Sequence, residues 1–541
     1  MDKHQWWQKS VVYQIYPKSF QDSNGDGIGD IQGIINRLDY LKLLGIDVIW
    51  LSPIYESPNY DNGYDISNYY EIGNEYGDMK DFERLVKEAE SRGIKIIMDL
   101  VLSHTSDEHE WFIESRKNKN NKYREYYFWR KGSEEFPPNK LKSFFGGTAW
   151  KYDSLTNEYY LHLFSEKQPD LNWNNEQLRK ELYTMIEFWI KKGVYGFRLD
   201  VIELIAKDPD NLITGNGPKL HEYIRELNNI VFKNNLLTVG ETGSATPEIA
   251  KLYTDENRKE LSMIFHFEHM SLDEEKGIGK SKWDIKELDV NELKKILSKW
   301  QVELNNVGWN SLYWSNHDQP RIVSRWGDTK KYHLESAKMF AIILHTMKGT
   351  PYIFQGEELG MTNRRISDIS QVKDIESLNI YYERLSSGYS KDDILDSINK
   401  KGRDNARTPM QWDDSKNAGF TTGTPWLEVN DNYKKINVKK ELKDKNSIFY
   451  TYQKLISIRK SNNIVVYGDF QDIESEYDEI YSFMRILDNQ KWIVIANISA
   501  NTLSHKFDFE IKKIIITNYK NIEIQKDTII LRPYEALVVE I

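Results

Sequence analysis

The sequence predicts an α/β fold, a (β/α)8 TIM barrel with a lobe inserted after strand 3 and a C-terminal antiparallel β-sandwich domain. Three observations lead to this prediction. Short apolar runs alternate with amphipathic helical patterns over most of the chain. The stretch between the third and fourth runs is too long for one helix, and beyond residue 470 the helical pattern gives way to closely spaced strands.

Eight apolar runs have the length and composition of strands. Strands of a parallel sheet are buried on both faces, and each is followed by a helix that covers the sheet. Eight such units predict a closed barrel. The runs are VVYQIYP (11–17), VIWLSP (48–53), IKIIMDLV (94–101), GFRLDVI (196–202), LLTVGE (236–241), MIFHFEH (263–269), NSLYWSNHD (310–318) and PYIFQGEE (351–358).

Two segments between these runs show the period of an amphipathic helix. In DFERLVKEAESRG the apolar residues Phe82, Leu85 and Val86 share one face, and the pattern stops at Gly93. The segment IINRLDYLKLLG repeats this arrangement and ends at Gly45. Each helix would lie against the strand that precedes it.

The chain divides on this basis into four segments. Residues 1–104 would form the first part of the barrel, and residues 105–171 an inserted domain B with YREYYFWR, FFGGTAW and YYLHLF. Residues 172–470 complete the barrel. Residues 471–541, with EIYSFMRIL, KWIVIANIS, KIIITNY and YEALVVEI, form the C-terminal β domain.

Composition excludes several classes of function. The 541 residues are 39% hydrophobic and 13% aromatic, as in a globular protein, and the net charge of −10 argues against nucleic-acid binding. The absence of cysteine excludes disulfides, thiolate nucleophiles and cysteine-bound zinc. The start MDKHQWWQKS lacks the apolar core of a secretory signal, and no apolar run is long enough to span a bilayer. We therefore expect a cytoplasmic protein without membrane contact.

Charged side chains occur at the ends of the predicted strands, where barrel enzymes carry their active sites. For any one of them, a salt bridge on the rim is the alternative explanation. Two carboxylates across a pocket suit glycosidic bond cleavage, in which one protonates the leaving oxygen and the other attacks the anomeric carbon. Paired acids also serve metal-dependent hydrolases and enolase-type enzymes. The charged residues are Asp99, His104, Arg198, Asp200, Glu241, His317 and Asp318.

The loop QDSNGDGIGD (21–30) carries side-chain oxygens suited to a hard cation. It does not match the helix–loop–helix calcium motif, because Gly33 stands where that motif requires Glu and the preceding residues predict a strand. The alternative is a turn whose acidic residues cap the next helix.

Four motifs occur in order along the chain: DLVLSH (99–104), GFRLDVI (196–202), TVGET (238–242) and NHDQPR (316–321). Together they resemble glycoside hydrolase family 13, the α-amylase family. Five further segments resemble its branch of oligo-1,6-glucosidases and dextran glucosidases (glucan 1,6-α-glucosidases). They are WWQKSVVYQIYPKSF, DNGYDISNYY, QPDLNW, GTPYIFQGEELGMTN and GRDNARTPMQWDD.

The resemblance implies catalytic roles for three acidic residues. Asp200 would be the nucleophile and Glu241 the general acid/base, about 5 Å apart, while Asp318 would hold hydroxyls of the distorted sugar. Arg198 lies on the same strand face as Asp200 and would keep it ionised. Glu241 would need a less polar setting, because it must stay protonated until it donates.

The resemblance also implies a pocket that is closed at one end. Asp61 and Arg403 would pair at the blind end and Tyr64 would stack under the bound glucose, so that the enzyme releases one glucose from the non-reducing end. For a histidine the alternative is a structural role, and for Arg403 it is an ordinary ion pair. The implied substrate-binding residues are Asp61, Tyr64, His104, Gln168, Arg198, His317 and Arg403.

Two residues bear on the linkage that is cleaved. Val201 follows the implied nucleophile, as in relatives that prefer α-1,6 bonds, although β-branched residues are common in strands. Pro169 stands where trehalose-6-phosphate hydrolases typically carry Ala. We therefore expect a retaining exo-α-glucosidase acting on isomalto-oligosaccharides or short dextrans through a covalent glucosyl-enzyme intermediate. The alternatives are a trehalose-6-phosphate hydrolase, a sucrose- or isomaltulose-cleaving α-glucosidase and, more distantly, a non-catalytic glucosidase-like module.

In this branch the loop at 21–30 implies one structural Ca²⁺, or Mg²⁺ in its place. An oligosaccharide would be the substrate partner, and we expect a monomer. Two positions depart from the family pattern: Ser103 stands where Asn is usual, and His266 where relatives often have Gln. The implied metal ligands are the side chains of Asp22, Asn24, Asp26 and Asp30 and the carbonyl of Ile28.

Overall fold

A computed structural model describes residues 4–233 and 236–541, and its centre is an eight-stranded parallel sheet. In their order across the sheet, neighbouring strands begin at Met263, Leu237, Gly196, Lys95, Val48, Val12, Thr350 and Ser311. A parallel bridge between Ile264 and Asn310 brings its two ends together. The predicted barrel is confirmed. Its strands are β1 (Val12–Ile15), β2 (Val48–Leu51), β3 (Lys95–Val101), β4 (Gly196–Asp200), β5 (Leu237–Thr242), β6 (Met263–His266), β7 (Ser311–Leu312) and β8 (Thr350–Phe354).

Helices alternate with these strands along the chain. The helix Met79–Ser91 buries the predicted apolar face, and Asp78 caps it by accepting the N–H groups of Lys80 and Asp81. The larger helices outside the two excursions described below are Ile31–Asn36, Leu38–Leu44, Met79–Ser91, Glu176–Lys191, Leu220–Leu227, Pro247–Thr254, Val290–Glu303, His333–Thr346 and Ile448–Ser461.

Two elements differ from the sequence prediction. The continuous helix expected over IINRLDYLKLLG is broken at Arg37, whose guanidinium lies over the ring of Trp412 at 4.0 Å and donates to Gln21. The strand expected over 310–318 ends at Leu312. Beyond it the side chain of Asn316 accepts the N–H of Asp318 at 2.8 Å, so the chain turns there instead of extending.

Two excursions from the barrel flank its C-terminal end. The inserted lobe contains the helix Glu110–Lys117 and a three-stranded antiparallel sheet of Trp129–Lys131, Trp150–Asp153 and Glu158–Leu161. A second excursion after β8, absent from the sequence prediction, contains the helices Ile375–Ser386 and Lys391–Lys401. Its own apolar core includes Trp283, Tyr381, Ile394 and Ile398.

The C-terminal region forms the predicted antiparallel β-sandwich. A sheet of five strands faces a sheet of three, and apolar residues of both sheets meet in one core. Four of its strands were not predicted, because they are short and most of their residues are partly exposed. The five-stranded sheet contains Asp469–Ile473, Ile480–Leu487, Gln490–Asn497, Ala536–Glu540 and Lys513–Thr517. The three-stranded sheet contains Leu503–Lys506, Thr528–Leu531 and Glu523–Gln525.

Across the two described ranges, no helix combines the length and apolarity needed to cross a bilayer.

Close packing at the start of β4 can be tested by one substitution. A Cβ at Gly196 would lie 2.0 Å from the carbonyl oxygen of Leu237 on β5. We expect Gly196→Ala to destabilise the protein by about 1–3 kcal/mol, measured as a lower urea midpoint. The control is Gly243→Ala, whose Cβ has its nearest neighbour at 3.5 Å. Equal midpoints for the two variants would contradict the packing described here.

Candidate active site

A cavity of about 710 Å³ opens at the C-terminal ends of the barrel strands. Phe144, Phe145 and Phe164 reach it from the inserted lobe. Three further predicted residues, Gln168, Arg198 and His317, are buried behind the wall. The predicted residues that line the cavity are Asp61, Tyr64, His104, Asp200, Glu241, Asp318 and Arg403.

The buried guanidinium of Arg198 gathers three carboxylates from neighbouring strand ends. Its distances are 2.6 Å to Asp200 on the same strand, 2.7 Å to Glu241 on β5 and 2.9 Å to Asp99 on β3. Parallel strands end at the same rim of the barrel, which is why residues far apart in sequence converge on one cation. The predicted nucleophile and the predicted acid therefore lie against the same group.

Val201, directly after β4, has an uncommon backbone. Its φ of 37° and ψ of 45° lie in the left-handed region, which a β-branched residue rarely adopts. This turn directs the backbone N–H of Val201 to Glu241 at 3.0 Å. The residue that follows Asp200 thus also orients Glu241.

Burial sets the protonation of this carboxylate cluster. It raises the pKa of Asp99 to about 6, that of Asp200 to about 7 and that of Glu241 to about 8, while Arg198 opposes each rise. Arg198 favours ionised Asp200, as expected from the sequence, but burial outweighs it. Between the two higher values, ionised Asp200 and protonated Glu241 coexist, the states that a nucleophile and an acid require.

The electrostatic environment of Asp318 lowers its pKa, in contrast to the carboxyls around Arg198. Burial disfavours its charge, but His317, Arg403 and Arg407 together hold its pKa below the usual range. The carboxylate lies 2.7 Å from Arg407, 3.1 Å from His317 and 3.5 Å from Arg403. Asp318 is therefore a fixed negative charge at the pocket wall.

The two predicted histidines are neutral. Burial lowers the pKa of His104 to about 4 and that of His317 to about 3. Nε2 of His104 lies 3.1 Å from the carbonyl of Tyr64 and 3.2 Å from the amide of Gln168. The ring of His317 stacks on Tyr64 with centroids 5.2 Å apart. Both imidazoles are thus held in position by neighbouring side chains.

The predicted ion pair of Asp61 and Arg403 lies in the cavity wall. Arg403 lies 3.0 Å from Asp61, which also accepts from Gln168 at 3.2 Å. The ring of Phe145 packs on the guanidinium of Arg403 at 5.1 Å. Tyr64, predicted as a stacking platform, donates its hydroxyl to Asp99 at 2.9 Å and presents its ring to the cavity.

Several residues of the site were not predicted from the sequence. Arg407 lies within the GRDNARTPMQWDD segment, and its spacing from Arg403 could have indicated it. Phe145 and Phe164 lie within the aromatic stretches assigned to domain B. Asp374 contacts Arg403 at 2.6 Å, and no sequence motif marked it.

The loop 21–30 is wound by repeated side-chain-to-backbone hydrogen bonds. Asp22, Asn24 and Asp26 each accept the N–H two residues ahead, at 2.8–2.9 Å. Asp30 caps the following helix by accepting the N–H of Gly33 at 2.6 Å. Helix capping is the alternative to metal binding for the acids of this loop. Within residues 4–233 and 236–541, no group of three or more acidic or histidine side chains is arranged to hold a metal.

Comparison with known proteins decides the family. The model for the α-amylase catalytic domain matches residues 14–468, and that for the C-terminal domain of the α-amylase SusG matches residues 480–538. The chain belongs to the α-amylase family, glycoside hydrolase family 13. It is 54% identical to an oligo-1,6-glucosidase of Bacillus cereus over 99% of both chains. It is 52% identical to a glucan 1,6-α-glucosidase of Streptococcus pneumoniae over 100% of both.

A solved relative has the same fold over its full length. The trehalose-6-phosphate hydrolase of Bacillus licheniformis superposes with a TM-score of 0.94 at 47% identity, covering 99% of this chain and 100% of that one. Together with the sequence relatives, this places the chain among family 13 glycoside hydrolases of the α-glucosidase type.

Both departures from the family pattern occupy defined surroundings. The carbonyl and hydroxyl of Ser103 accept from Lys207 at 3.0 and 3.1 Å, and Lys207 also pairs with Asp170 of the inserted lobe. Ser103 therefore still contributes to the contact between barrel and lobe. His266 stacks on Trp300 with centroids 3.6 Å apart, and burial holds its pKa well below the usual value.

The pH dependence of this α-glucosidase should follow the carboxylate pair. With Asp200 as the predicted nucleophile and Glu241 as the predicted acid, activity should fall as pH drops below about 7, where Asp200 is protonated, and as pH rises above about 8, where Glu241 is ionised. We expect a bell-shaped kcat/KM profile with p-nitrophenyl α-glucoside. Glu241→Gln should lose the alkaline limb on an aryl glucoside whose leaving group needs no proton. An alkaline limb retained in that variant would contradict the assignment.

Proposed function

We propose that the enzyme is a retaining exo-α-glucosidase that cleaves α-1,6 bonds at the non-reducing ends of isomalto-oligosaccharides or short dextrans. The observation that carries this proposal is the joint contact of Asp200 and Glu241 with Arg198, inside a cavity closed by Asp61 and Arg403. The oligo-1,6-glucosidase and glucan 1,6-α-glucosidase relatives support the same activity.

The reaction has two steps. Asp200 attacks the anomeric carbon while Glu241 gives its proton to the glycosidic oxygen, which leaves with the bonding electron pair. Glu241, now ionised, then removes a proton from water, and the water oxygen displaces Asp200 to release α-glucose. Asp318, held ionised beside His317 and Arg407, suits hydroxyl contacts to a sugar that gains positive character at the anomeric centre.

The closed end supports exo action. Asp61 and Arg403 form a polar wall, Gln168 supports Asp61 from behind it, and Phe145 covers the guanidinium. A chain that continued beyond the bound glucose would meet this wall. Only a terminal glucose therefore fits with its anomeric carbon near Asp200.

Charge in the pocket favours a neutral glucan over a phosphorylated sugar. Among the described residues that line the cavity, the cations Lys282 and Arg403 are both paired, Lys282 with Glu376 at 2.5 Å. A phosphate would have to displace a carboxylate from one of them. Val201 and Pro169 support the α-1,6 preference by resemblance.

Trehalose-6-phosphate hydrolysis is the second candidate, because a Bacillus subtilis enzyme of that name is 49% identical over 98% of both chains. Sucrose or isomaltulose cleavage is a third, because an isomaltulose synthase of Klebsiella sp. LX3 superposes with a TM-score of 0.96 at 40% identity. The non-catalytic alternative is disfavoured by the presence of Asp200, Glu241 and Asp318 in the pocket. A monomeric state and a cytoplasmic location stay predictions from the sequence.

We also propose that Ca²⁺, or Mg²⁺ in its place, binds the loop 21–30 as a structural ion. Oxygen atoms are the donors that these hard cations take. The repeated turns set the side chains of Asp22, Asn24 and Asp26 in succession along the loop, but the described loop does not gather its acids around one point, so the ion would have to draw them together. When bound, the ion would hold the loop against the barrel, and no catalytic step involves it. Its ligands would be Asp22, Asn24, Asp26 and Asp30, with the carbonyl of Ile28.

The metal proposal can be tested by thermal unfolding. After chelator treatment we expect added Ca²⁺ to raise the Tm. At a free Ca²⁺ concentration one hundred times Kd, the free energy of unfolding should rise by about 3 kcal/mol. Asp26 is exposed, so Asp26→Ala should remove the calcium response with little other effect. The control is Asp508→Ala, an exposed site in the C-terminal domain. An identical Tm with and without Ca²⁺ in the parent enzyme would exclude the ion.

A substrate panel tests the activity itself. We expect the highest kcat/KM on isomaltose and isomaltotriose, compared with dextran, maltose, sucrose and trehalose-6-phosphate, and α-glucose as the first anomer seen by NMR. Asp200→Ala should abolish hydrolysis, because it removes the attacking group, while Asp508→Ala should not. Preference for trehalose-6-phosphate would overturn the substrate assignment, and β-glucose as the first product would overturn the retaining mechanism.

A further inference from the structure

Asp374 is a fully buried carboxylate that lies outside the family motifs quoted above. It precedes the helix Ile375–Ser386 in the second excursion and is 29 residues before Arg403 in sequence. The fold nevertheless brings these two residues into contact. A buried carboxylate needs a compensating partner, so the contacts of Asp374 indicate its role.

The two oxygens of Asp374 have different partners. Oδ1 lies 2.6 Å from Nη2 and 2.8 Å from Nε of Arg403, and 3.8 Å from Nη1 of Arg407. Oδ2 accepts the hydroxyl of Ser377 at 2.6 Å and its N–H at 3.1 Å. Oδ1 also accepts the N–H of Glu376 at 3.3 Å, so both oxygens cap the helix, while Oδ1 alone contacts the arginines.

The contact with Oδ1 leaves Arg403 little freedom. Its Nη2 also reaches Asp61 at 3.0 Å, and its Nη1 lies 3.5 Å from Asp318. Without Asp374, the buried Nε would lose its closest acceptor, at 2.8 Å, and a long flexible side chain would keep fewer constraints. The arginines hold the pKa of Asp374 below its usual range despite burial, so the carboxylate is charged at neutral pH.

We propose that Asp374 is a positioning residue that holds Arg403, and through it Asp61, in the orientation that recognises the terminal glucose. This inference rests on the proposed exo-glucosidase function. Asp374 does not line the cavity, so it acts through Arg403 and not on the sugar. The C4 hydroxyl of glucose is across the ring from the reacting carbon, so it is the group nearest the closed end.

The test is Asp374→Asn. Asparagine is as good a helix cap as aspartate, so the start of the helix is kept while the charge that holds Arg403 is lost. We expect kcat/KM for p-nitrophenyl α-glucoside to fall about 100-fold, because small misplacements of positioning groups have effects of that size. The preference for this substrate over its 4-deoxy analogue should fall about ten-fold, since the closed end no longer recognises the hydroxyl.

Two further variants separate positioning from capping. Asp289 caps the helix Val290–Glu303 by accepting from Asn291 and Glu292, and in the described part of the chain it pairs with no arginine. Asp289→Asn should therefore leave the 4-deoxy preference unchanged. Asp374→Glu keeps the charge and should restore part of the preference that Asp374→Asn loses.

The possible outcomes are distinct. A parent enzyme without α-glucosidase activity would overturn the proposed function and this inference with it. An active parent whose Asp374→Asn variant keeps the full 4-deoxy preference would overturn the inference alone. If Asp374→Asn does not fold, Asp374→Ser decides, because serine also caps a helix and carries no charge. A full 4-deoxy preference in this variant, or its failure to fold as well, would assign Asp374 to folding and reject a positioning role.

Discussion

The active site depends on one buried cation. Arg198 remains charged at any working pH, and its burial at the centre of the barrel requires compensation by carboxylates. Asp99, Asp200 and Glu241 supply it from three adjacent strand ends. Burial raises the pKa values of all three, repulsion among the carboxylates adds to the rise, and one guanidinium only partly opposes it. The carboxylates that compensate the buried arginine thus include the two residues proposed as acid and nucleophile, with the higher pKa on the proposed acid, Glu241.

A second network of charged residues, around Arg403 and Arg407, has the opposite balance of cations and carboxylates. Arg403 and Arg407 together face Asp318 and Asp374, and the pKa values of both carboxyls are lowered. Burial still raises the pKa of Asp61, which shares Arg403 with Asp374. The carboxyls around Arg198 therefore tend to keep their protons, whereas Asp318 and Asp374 stay ionised. In the proposed function, the first group carries out the chemistry and the second recognises the sugar.

The two excursions from the barrel convert an open rim into a pocket. The inserted lobe contributes Phe145, which packs on Arg403, and the second excursion contributes Asp374, which holds Arg403 from behind. The two excursions also touch directly, since Asn379 donates to the carbonyl of Phe145 at 3.1 Å. A barrel alone would bring Asp200 and Glu241 together but would leave Arg403 without the contacts from Phe145 and Asp374.

The amino-acid sequence alone determined the barrel, the sandwich and the strand ends that carry Asp200 and Glu241. These follow from local periodicity and from the rule that parallel strands end at one rim. Tertiary structure decided what local pattern does not contain: the break at Arg37, the short β7, the left-handed turn at Val201 and the role of Asp374. Asp61 and Arg403 are 342 residues apart, and only their resemblance to a family motif indicated the pair. The partner of a buried charge is chosen by the folded chain, because compensation depends on which groups meet in space and not on their spacing in sequence.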